Sequence, residues 1–162
     1  MRNLSSKAST VSRLVLIGLT VLFFFLNIGS IRSALADTDM VIRKGGSLWA
    51  RIETDGYIRI DGTLAGRFED DGYVRKDGSL IGKIEEDGII RKNGSIIGRI
   101  EEDGTLRRNG SIIGEIEDDG TIRLNGSIWG SVDNCCSDFN AKRAVTAVLV
   151  FFSDYFYSTS SQ

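Results

Sequence analysis

Residues 87–102 read DGIIRKNGSIIGRIEE, and this sixteen-residue unit recurs along most of the chain. Close copies occupy residues 55–70, 71–86, 103–118 and 119–134, and a weaker first copy, MVIRKGGSLWARIETD, begins at Met40. Repetition at a fixed short period is typical of architectures in which each unit is one supersecondary element that packs on the next. The repeat therefore decides the fold, and the length of 162 residues suits one domain plus a processed segment.

Each full unit contains two turn signals, which in residues 87–102 are Asp87-Gly88 and Asn93-Gly94. Asn or Asp followed by Gly is the strongest short-range signal for a β-hairpin, because both residues tolerate positive φ. The runs between the turns are short and rich in β-branched residues. Each unit is thus predicted to be one hairpin that a second tight turn joins to the following hairpin.

Alternation of side chains along a strand assigns the faces of the sheet. It places two apolar rows of the long strands on one inner face: Leu64, Leu80, Ile96, Ile112 and Ile128, and then Phe68, Ile84, Ile100, Ile116 and Val132. A glycine lies between the two rows in each unit, and an apolar side chain is expected to fill the space beside it. The same alternation sends the repeated arginines, Arg59, Arg75, Arg91, Arg107 and Arg123, to the outer face. We expect them to form a ladder of ion pairs with Glu69, Glu85, Glu101 and Glu117.

A further apolar position breaks the alternation, since Ile81, Ile97, Ile113 and Trp129 each follow another apolar residue. A flat sheet would leave one of these rows in water, so a neighbouring unit, a terminal segment or a partner must cover it. Closing the hairpins into a ring also removes two exposed sheet edges, which otherwise invite aggregation. An open superhelical meander and a solenoid with one coil per unit are the alternatives.

The predicted domain organisation follows from these patterns. A secretory signal peptide covers residues 1–36, because a basic head precedes the apolar run LVLIGLTVLFFFLNI and the motif Ala34-Leu35-Ala36 resembles a cleavage site. The hairpin repeats cover residues 37–133. An apolar segment at residues 134–157 shows helical periodicity, with Asp138 or Asn140 as the cap, and is expected to pack on or into the repeats. The alternatives are a strand, which its β-branched residues also allow, and a surface helix that binds a membrane or a partner. Residues 158–162 are predicted to form a disordered end.

Composition excludes several classes of function. The chain has no histidine, which removes the commonest general base and the commonest metal ligand. Four of the 20 basic residues precede the first acid, Asp37, so the mature chain keeps 16 basic and 22 acidic residues and carries a net charge of about −6. Such a domain is a poor nucleic-acid binder. No catalytic residue, metal site or cofactor is predicted.

Few residues depart from the repeat, and these are the candidates for a binding role. Trp49, Tyr57, Tyr73 and Trp129 could stack on sugars, or they could pack the ends of the array where a neighbour is missing. Cys135 and Cys136 are adjacent and are the only thiols, so an exported protein could join them in a disulfide. The acidic triplets between units match no calcium-binding spacing and are interpreted as turn and solubility residues.

The unit D-G-x-[IVL]-R-x-[DN]-G-[ST]-x-[IA]-G-x-[IF]-E-x, together with the aromatic C-terminal tail, resembles the bacterial β-flower proteins over about two-thirds of the chain. The resemblance implies a ring of β-hairpin petals in which each unit packs on the next, and it implies no catalytic residues. Six strand starts can be counted, so the number of petals is open, and the first copy could be a partial unit that completes the last.

The predicted fold class is therefore all-β: tandem sixteen-residue hairpins in a ring-like array, with a C-terminal apolar helix packed on or into it. We expect an exported protein, periplasmic or extracellular, that is not an enzyme and has a structural or interaction role in the cell envelope. The alternative is a carbohydrate- or peptidoglycan-binding module. The partner of the protein would be an envelope protein or a glycan. The protein would contact a membrane only through an uncleaved N-terminal anchor.

Overall fold

The computed structural model describes residues 38–158. The predicted signal peptide and all but the first residue of the predicted disordered end lie outside this range. Within it the chain forms twelve strands and one helix. The strands are β1 Met40–Lys44, β2 Ser47–Ile52, β3 Tyr57–Ile60, β4 Thr63–Phe68, β5 Tyr73–Lys76, β6 Ser79–Ile84, β7 Ile89–Lys92, β8 Ser95–Ile100, β9 Thr105–Arg108, β10 Ser111–Ile116, β11 Thr121–Leu124 and β12 Ser127–Asp133, and the helix, α1, is Phe139–Phe151.

The strands close into a ring in which each strand pairs antiparallel with the strands before and after it in the chain, and the first strand pairs with the last. Closure is made by β1 and β12, where Ile42 lies opposite Val132 and Val41 lies opposite Asp133. The predicted all-β hairpin ring is confirmed, and the meander and the solenoid are excluded. The ring has six hairpins, because the weak first copy forms a complete one across β1 and β2. Closure leaves no unpaired strand edge in the ring.

Each hairpin turns on two residues with positive φ. In the third full unit these are Asn93, at φ 51°, and Gly94, at φ 79°. This geometry matches the right-handed twist of the strands, which is why Asn-Gly is favoured there. The connection between hairpins is different: the side chain of Asp87 accepts a hydrogen bond from the backbone N–H of Ile89, at 3.2 Å, and the N–H of Gly88 donates to the carbonyl of Glu85.

A β-bulge in every hairpin corrects one predicted face. Ile90 lies opposite Gly98 but Arg91 lies opposite Ile96, so Ile97 is an extra residue without a partner. The extra residue reverses the alternation, and Ile96 is 60% exposed instead of facing inward. The prediction that Leu64, Leu80, Ile96, Ile112 and Ile128 face the core was wrong, because counting by twos assumes a strand without a bulge. These five side chains and Leu48 are all exposed.

The inner face of the ring carries a buried layer, of which the sequence predicted the second row on the long strands. Ile58, Val74, Ile90, Leu106 and Ile122 on the short strands are fully buried, as are Ile84, Ile100 and Ile116 on the long ones. These side chains form one cluster with the helix. The core is therefore the lumen of the ring.

Helix α1 occupies this lumen. Its nine consecutive residues from 142 to 150 are all buried, so protein surrounds the helix on every side. The predicted packing of the C-terminal segment into the hairpins is confirmed. Asp138 caps the helix by accepting a hydrogen bond from the N–H of Ala141 at 3.0 Å, as predicted. The helix ends at Phe151, and the apolar stripe predicted to continue to Tyr155 instead turns back in the residues that follow.

Aromatic side chains of the tail fill the spaces left by inward glycines. A Cβ atom on Gly66 would meet the ring of Phe152, one on Gly82 the ring of Phe151, one on Gly98 the ring of Phe156, and one on Gly114 the ring of Tyr155. The sequence predicted an apolar filler from a neighbouring strand, and the register does place Ile58 opposite Gly66. The tail fills the remaining space. Four equivalent glycines thus accept four consecutive aromatic groups of the tail.

Replacing Gly82 by alanine tests this packing. The added Cβ would clash with the Phe151 ring and lie 2.8 Å from the carbonyl oxygen of Arg91. We expect Gly82→Ala to lower the free energy of unfolding by about 1–3 kcal/mol, the usual cost of overpacking, measured by denaturant titration. In a Phe151→Leu background the same substitution should cost less, because the smaller side chain yields space. An equal loss in both backgrounds would contradict the predicted pairing.

Candidate functional site on the outer face of the ring

The outer face carries the predicted ladder of ion pairs. Arg75 binds Glu69 at 3.0 Å, Arg91 binds Glu85 at 2.7 Å, and Arg107 binds Glu101 at 2.9 Å. Two further pairs, Arg59 with Glu53 and Arg123 with Glu117, complete the series. Because these groups are about one-third exposed, each pair contributes at most ~1 kcal/mol, and the ladder mainly fixes side-chain positions.

Hydrogen bonds in the ladder and the turns also shift pKa values. The hydrogen bond from Arg123 to Glu117 raises the pKa of that guanidinium, and Glu53 does the same to Arg59. In the connecting turns, the backbone N–H of Thr105 lowers the pKa of Asp103, and that of Thr121 lowers the pKa of Asp119. All four groups are held in their charged forms at neutral pH.

A second set of outward positions, on the long strands, differs from unit to unit. From β2 to β12 the residues are Arg51, Arg67, Lys83, Arg99, Glu115 and Ser131. Arg51 pairs with Asp39 at 3.1 Å. Within the part of the chain that the structure describes, Arg67, Lys83 and Arg99 form no ion pair with a carboxylate. The three cations without a carboxylate partner therefore lie together on one arc of the ring, from β3 to β9, which we call the positive arc.

The register sets each of these three cations directly opposite an arginine of the ladder. Arg67 lies opposite Arg75, Lys83 opposite Arg91, and Arg99 opposite Arg107. Like charges directly opposite each other in a sheet are destabilising. Of the three remaining contacts of this kind, one sets Arg51 opposite Arg59, where Asp39 pairs with Arg51. The other two bring Glu115 opposite Arg123 and Ser131 opposite Arg43, which avoids the repulsion. Each cation of the positive arc thus lies opposite a like charge, which costs stability.

Three equivalent pockets open on this arc. They have volumes of about 270, 360 and 360 Å³. Each pocket is lined by the bulge residue of one long strand, the exposed apolar residue before it, the cation of the same strand, and the ladder arginine of the next unit. In the second pocket these residues are, in that order, Ile81, Leu80, Lys83 and Arg91. A bulky residue at the start of the short strand forms one wall, which is Tyr57, Tyr73 or Ile89.

The tyrosines support the cations of these pockets. The guanidinium of Arg67 lies 5.0 Å from the centre of the Tyr57 ring, and the ammonium of Lys83 lies 4.4 Å from that of Tyr73. Arg67 also donates two hydrogen bonds to the carbonyl of Asp55, and Arg99 donates one to that of Asp87. These contacts fix the cations while leaving their charge without a carboxylate partner.

The other two candidate aromatic residues lie elsewhere. Trp49 and Trp129 occupy the bulge position of their strands on either side of β1, with ring centres 5.5 Å apart. Trp129 also packs edge-on against Tyr155 of the tail, at 5.3 Å, and Lys44 lies over its outer side. Both tryptophans are half-buried against the core. The structure thus divides the four predicted residues into an inner tryptophan pair at the closure and two tyrosines on the outside.

Cys135 and Cys136 form a disulfide between neighbouring residues, in the link between β12 and the helix. Cys136 is buried and has φ 86°, and the side chain of Asn134 donates to the carbonyl of Asp39 at 3.1 Å. The segment is therefore fixed where the chain leaves the ring and turns into its lumen. Within residues 38–158 no cluster of His, Cys, Asp or Glu could hold a metal ion.

Inside the ring, two cations are buried at the mouth where the acidic turns lie. Lys142 reaches Asp118 at 2.6 Å and the carbonyl of Glu102 at 3.4 Å. Arg143 donates to the carbonyl of Ile84 and to the side chain of Asn140, and burial lowers its pKa. A cavity of about 750 Å³ lies beside Arg143, between the start of the helix and residues of β1, β2 and β4. The acidic turns therefore offset the cost of placing cations inside the ring.

The sequence did not single out Arg67, Lys83, Arg99 or the exposed Leu and Ile row as functional candidates. One signal in the sequence could have revealed the cations. Their position in the repeat changes from Arg or Lys to Glu and Ser along the chain, whereas most other positions of the repeat hardly vary. The exposed apolar row was hidden by the bulge. In the described residues, no helix is long and apolar enough to cross a membrane.

Comparisons with known proteins place no further constraint on the site. No family profile, no curated protein sequence and no solved structure matched the chain. The resemblance to β-flower proteins stays a prediction from the repeat and the tail.

Neutralising Asp118 tests the role of the acidic mouth. Asp118 is 83% exposed, whereas the side chain of its partner Lys142 is only 4% exposed, so the substitution leaves a nearly buried ammonium without its carboxylate. We expect Asp118→Asn to lower the free energy of unfolding by about 1 kcal/mol. Asp70 occupies the same position in an earlier unit, and Asp70→Asn is expected to leave stability unchanged. Equal losses for the two variants in thermal unfolding would show that Lys142 does not depend on Asp118.

Proposed function

We propose that this protein is an exported, non-enzymatic scaffold of the cell envelope that acts by binding through the outer face of its ring. The observation that carries the proposal is the division of the molecule into a packed lumen and a chemically varied exterior. The helix and the aromatic tail occupy the lumen, whereas exposed Leu and Ile side chains, cations and tyrosines line the outside. A rigid closed sheet is a suitable support for such a surface.

Export is supported by features of the sequence and of the link to the helix. The basic head, the apolar run and the motif Ala34-Leu35-Ala36 are the components of a secretory signal. The disulfide between Cys135 and Cys136 suits an oxidising compartment. The short apolar run would otherwise serve as an anchor that keeps the ring outside the cytoplasmic membrane.

The second candidate function is that of a carbohydrate-binding module. A specific observation favours it: Tyr57 and Tyr73 lie in equivalent outer pockets, and the ring of Tyr57 is 37% exposed. Aromatic rings beside polar groups are the usual means by which a surface contacts the apolar faces of sugar rings. Trp49 and Trp129 contribute less to this candidate, because they pack on the tail.

Fractionation of a bacterial host that expresses the whole chain tests the proposal. We expect the protein in the exported fraction, with a mass that corresponds to a chain beginning at Asp37 and with both cysteines oxidised. A matched variant, Ala34→Phe with Ala36→Phe, should remain uncleaved and membrane-bound, since bulky residues do not fit the cleavage site. Recovery of the uncleaved, reduced chain from the cytoplasm would refute export and with it the envelope role.

A further inference from the structure

The symmetry of the ring is broken on one arc. At the start of the short strand, Tyr57, Tyr73 and Ile89 are followed in the later units by Thr105 and Thr121. Opposite them on the long strand, Arg67, Lys83 and Arg99 are followed by Glu115 and Ser131. Both changes occur at the same place, between β8 and β10. A bulky wall and a cation without a carboxylate partner therefore occur together in three consecutive units.

Charge selects the class of ligand. In each pocket the ladder arginine is neutralised by its glutamate, as Arg91 is by Glu85. The long-strand cation is left over, so the second and third pockets each present about one net positive charge, whereas Asp77 also lines the first pocket and offsets the charge of Arg67 there. The three pockets together form a positive arc on a domain whose mature charge is negative. A ligand that carries one negative charge for each pocket complements this arc.

The spacing between the pockets further restricts the class of ligand. Equivalent pockets recur every two strands, and neighbouring strands lie about 4.8 Å apart, so the positive charges recur about every 10 Å. This distance is close to the length of a disaccharide. A single nucleic-acid strand carries a charge about every 3.4 Å along the axis of a duplex, which is much denser than the arc. A polymer with one carboxylate for each disaccharide fits the spacing.

The walls of the pockets suit sugar rings. Tyr57 and Tyr73 offer aromatic faces, and the exposed side chains of Leu64, Leu80 and Ile96 line the same pockets. Glu69 in the first pocket and Glu85 in the second provide carboxylate oxygens that can accept hydrogen bonds from hydroxyl groups. An apolar wall with a few fixed polar groups is the usual composition of a ligand site.

We infer that the outer arc from β3 to β9 binds an acidic linear polysaccharide, with one disaccharide and one carboxylate in each of the three pockets. The inference rests on the second candidate function, the carbohydrate-binding module, and goes beyond it in naming the charge, the repeat length and the arc. The chain of the polysaccharide runs around the ring, across the strands, and crosses one hairpin for each disaccharide.

Binding of hyaluronan oligosaccharides to the full chain, measured by calorimetry, tests the inference, because this polymer carries one carboxylate for each disaccharide. Affinity should rise from the disaccharide to the hexasaccharide, which covers three pockets, and then level off. Lys83→Glu should weaken binding about fivefold, the effect of losing one exposed ion pair. Lys76→Glu makes the same charge change on the exposed end of the neighbouring strand and should weaken it less.

Two further variants separate a local effect from loss of folding. Replacing Arg67, Lys83 and Arg99 together by glutamate copies what the protein itself has at Glu115, and should abolish binding while the thermal transition is retained. Glu115→Arg extends the arc by one position and should increase the affinity for the octasaccharide over the hexasaccharide. Equal weakening by Lys76→Glu and Lys83→Glu, or no gain from Glu115→Arg, would overturn the proposed arc.

The remaining comparisons decide between ligand classes. Retention on neutral dextran equal to that on hyaluronan would overturn the acidic specificity and leave the carbohydrate-binding module standing. Binding to vesicles of anionic phospholipid, with none to any glycan, would overturn both and would assign the cations to a lipid surface. Neither result bears on export, which fractionation tests separately.

Discussion

The structure depends on filling the lumen of a twelve-stranded ring. About eight strands enclose a space that their own side chains can fill, and a wider ring leaves a void. Here the inward positions alternate between Ile, Leu or Val and glycine, so the strands supply too little volume by themselves. Helix α1 and the aromatic residues after it supply the rest. The repeats and the tail are therefore one folding unit rather than a ring with an appendage.

Filling the lumen with a helix has an electrostatic consequence. Lys142 lies in the first turn, where the helix dipole disfavours cations, Arg143 follows it directly, and both are almost completely buried. The Nε atom of Arg143 has no hydrogen-bond partner within the described residues, which adds to the cost. The carboxylates and carbonyls of the acidic turns face this end of the helix and stabilise it. The turns that the repeat requires for its hairpins thus also accommodate the charged start of the tail.

Much of the fold could be predicted from the sequence, because hairpin signals are local. Asn93-Gly94 and Asp87-Gly88 fix two turns by their φ preferences alone, and the phase of Arg91 and Glu85 predicts their ion pair. The bulge at Ile97 could not be predicted by counting, since an inserted residue has no signal of its own in an apolar run. For that reason Ile96 was placed on the wrong face. The positive arc was missed for another cause: Lys83 opposes Arg91 across the turn that joins two hairpins, and that pairing becomes visible only in the structure.

Of the candidate site, the sequence supplied the two tyrosines but not the cations beside them. Tyr57 and Tyr73 stand out as exceptions within the repeat. Arg67 and Arg99 look like ordinary surface charges in the sequence, and only the structure shows that no carboxylate of the described residues pairs with them. Trp49 and Trp129 stand out equally in the sequence, yet they serve the closure of the ring. An aromatic residue that departs from a repeat therefore indicates a place where the symmetry is broken. Only the structure shows whether that residue packs in the core or lies in a surface pocket.

Native-state hydrogen exchange of the helix amides measures most directly whether the ring needs its filling. If the tail and the ring are one unit, the amides of Val145, Val148 and Leu149 exchange only through global unfolding, with the same free energy as the most protected strand amides. Exchange of these helix amides at a much lower free energy, while the strands stay protected, would show that the helix leaves an intact ring and would contradict the account.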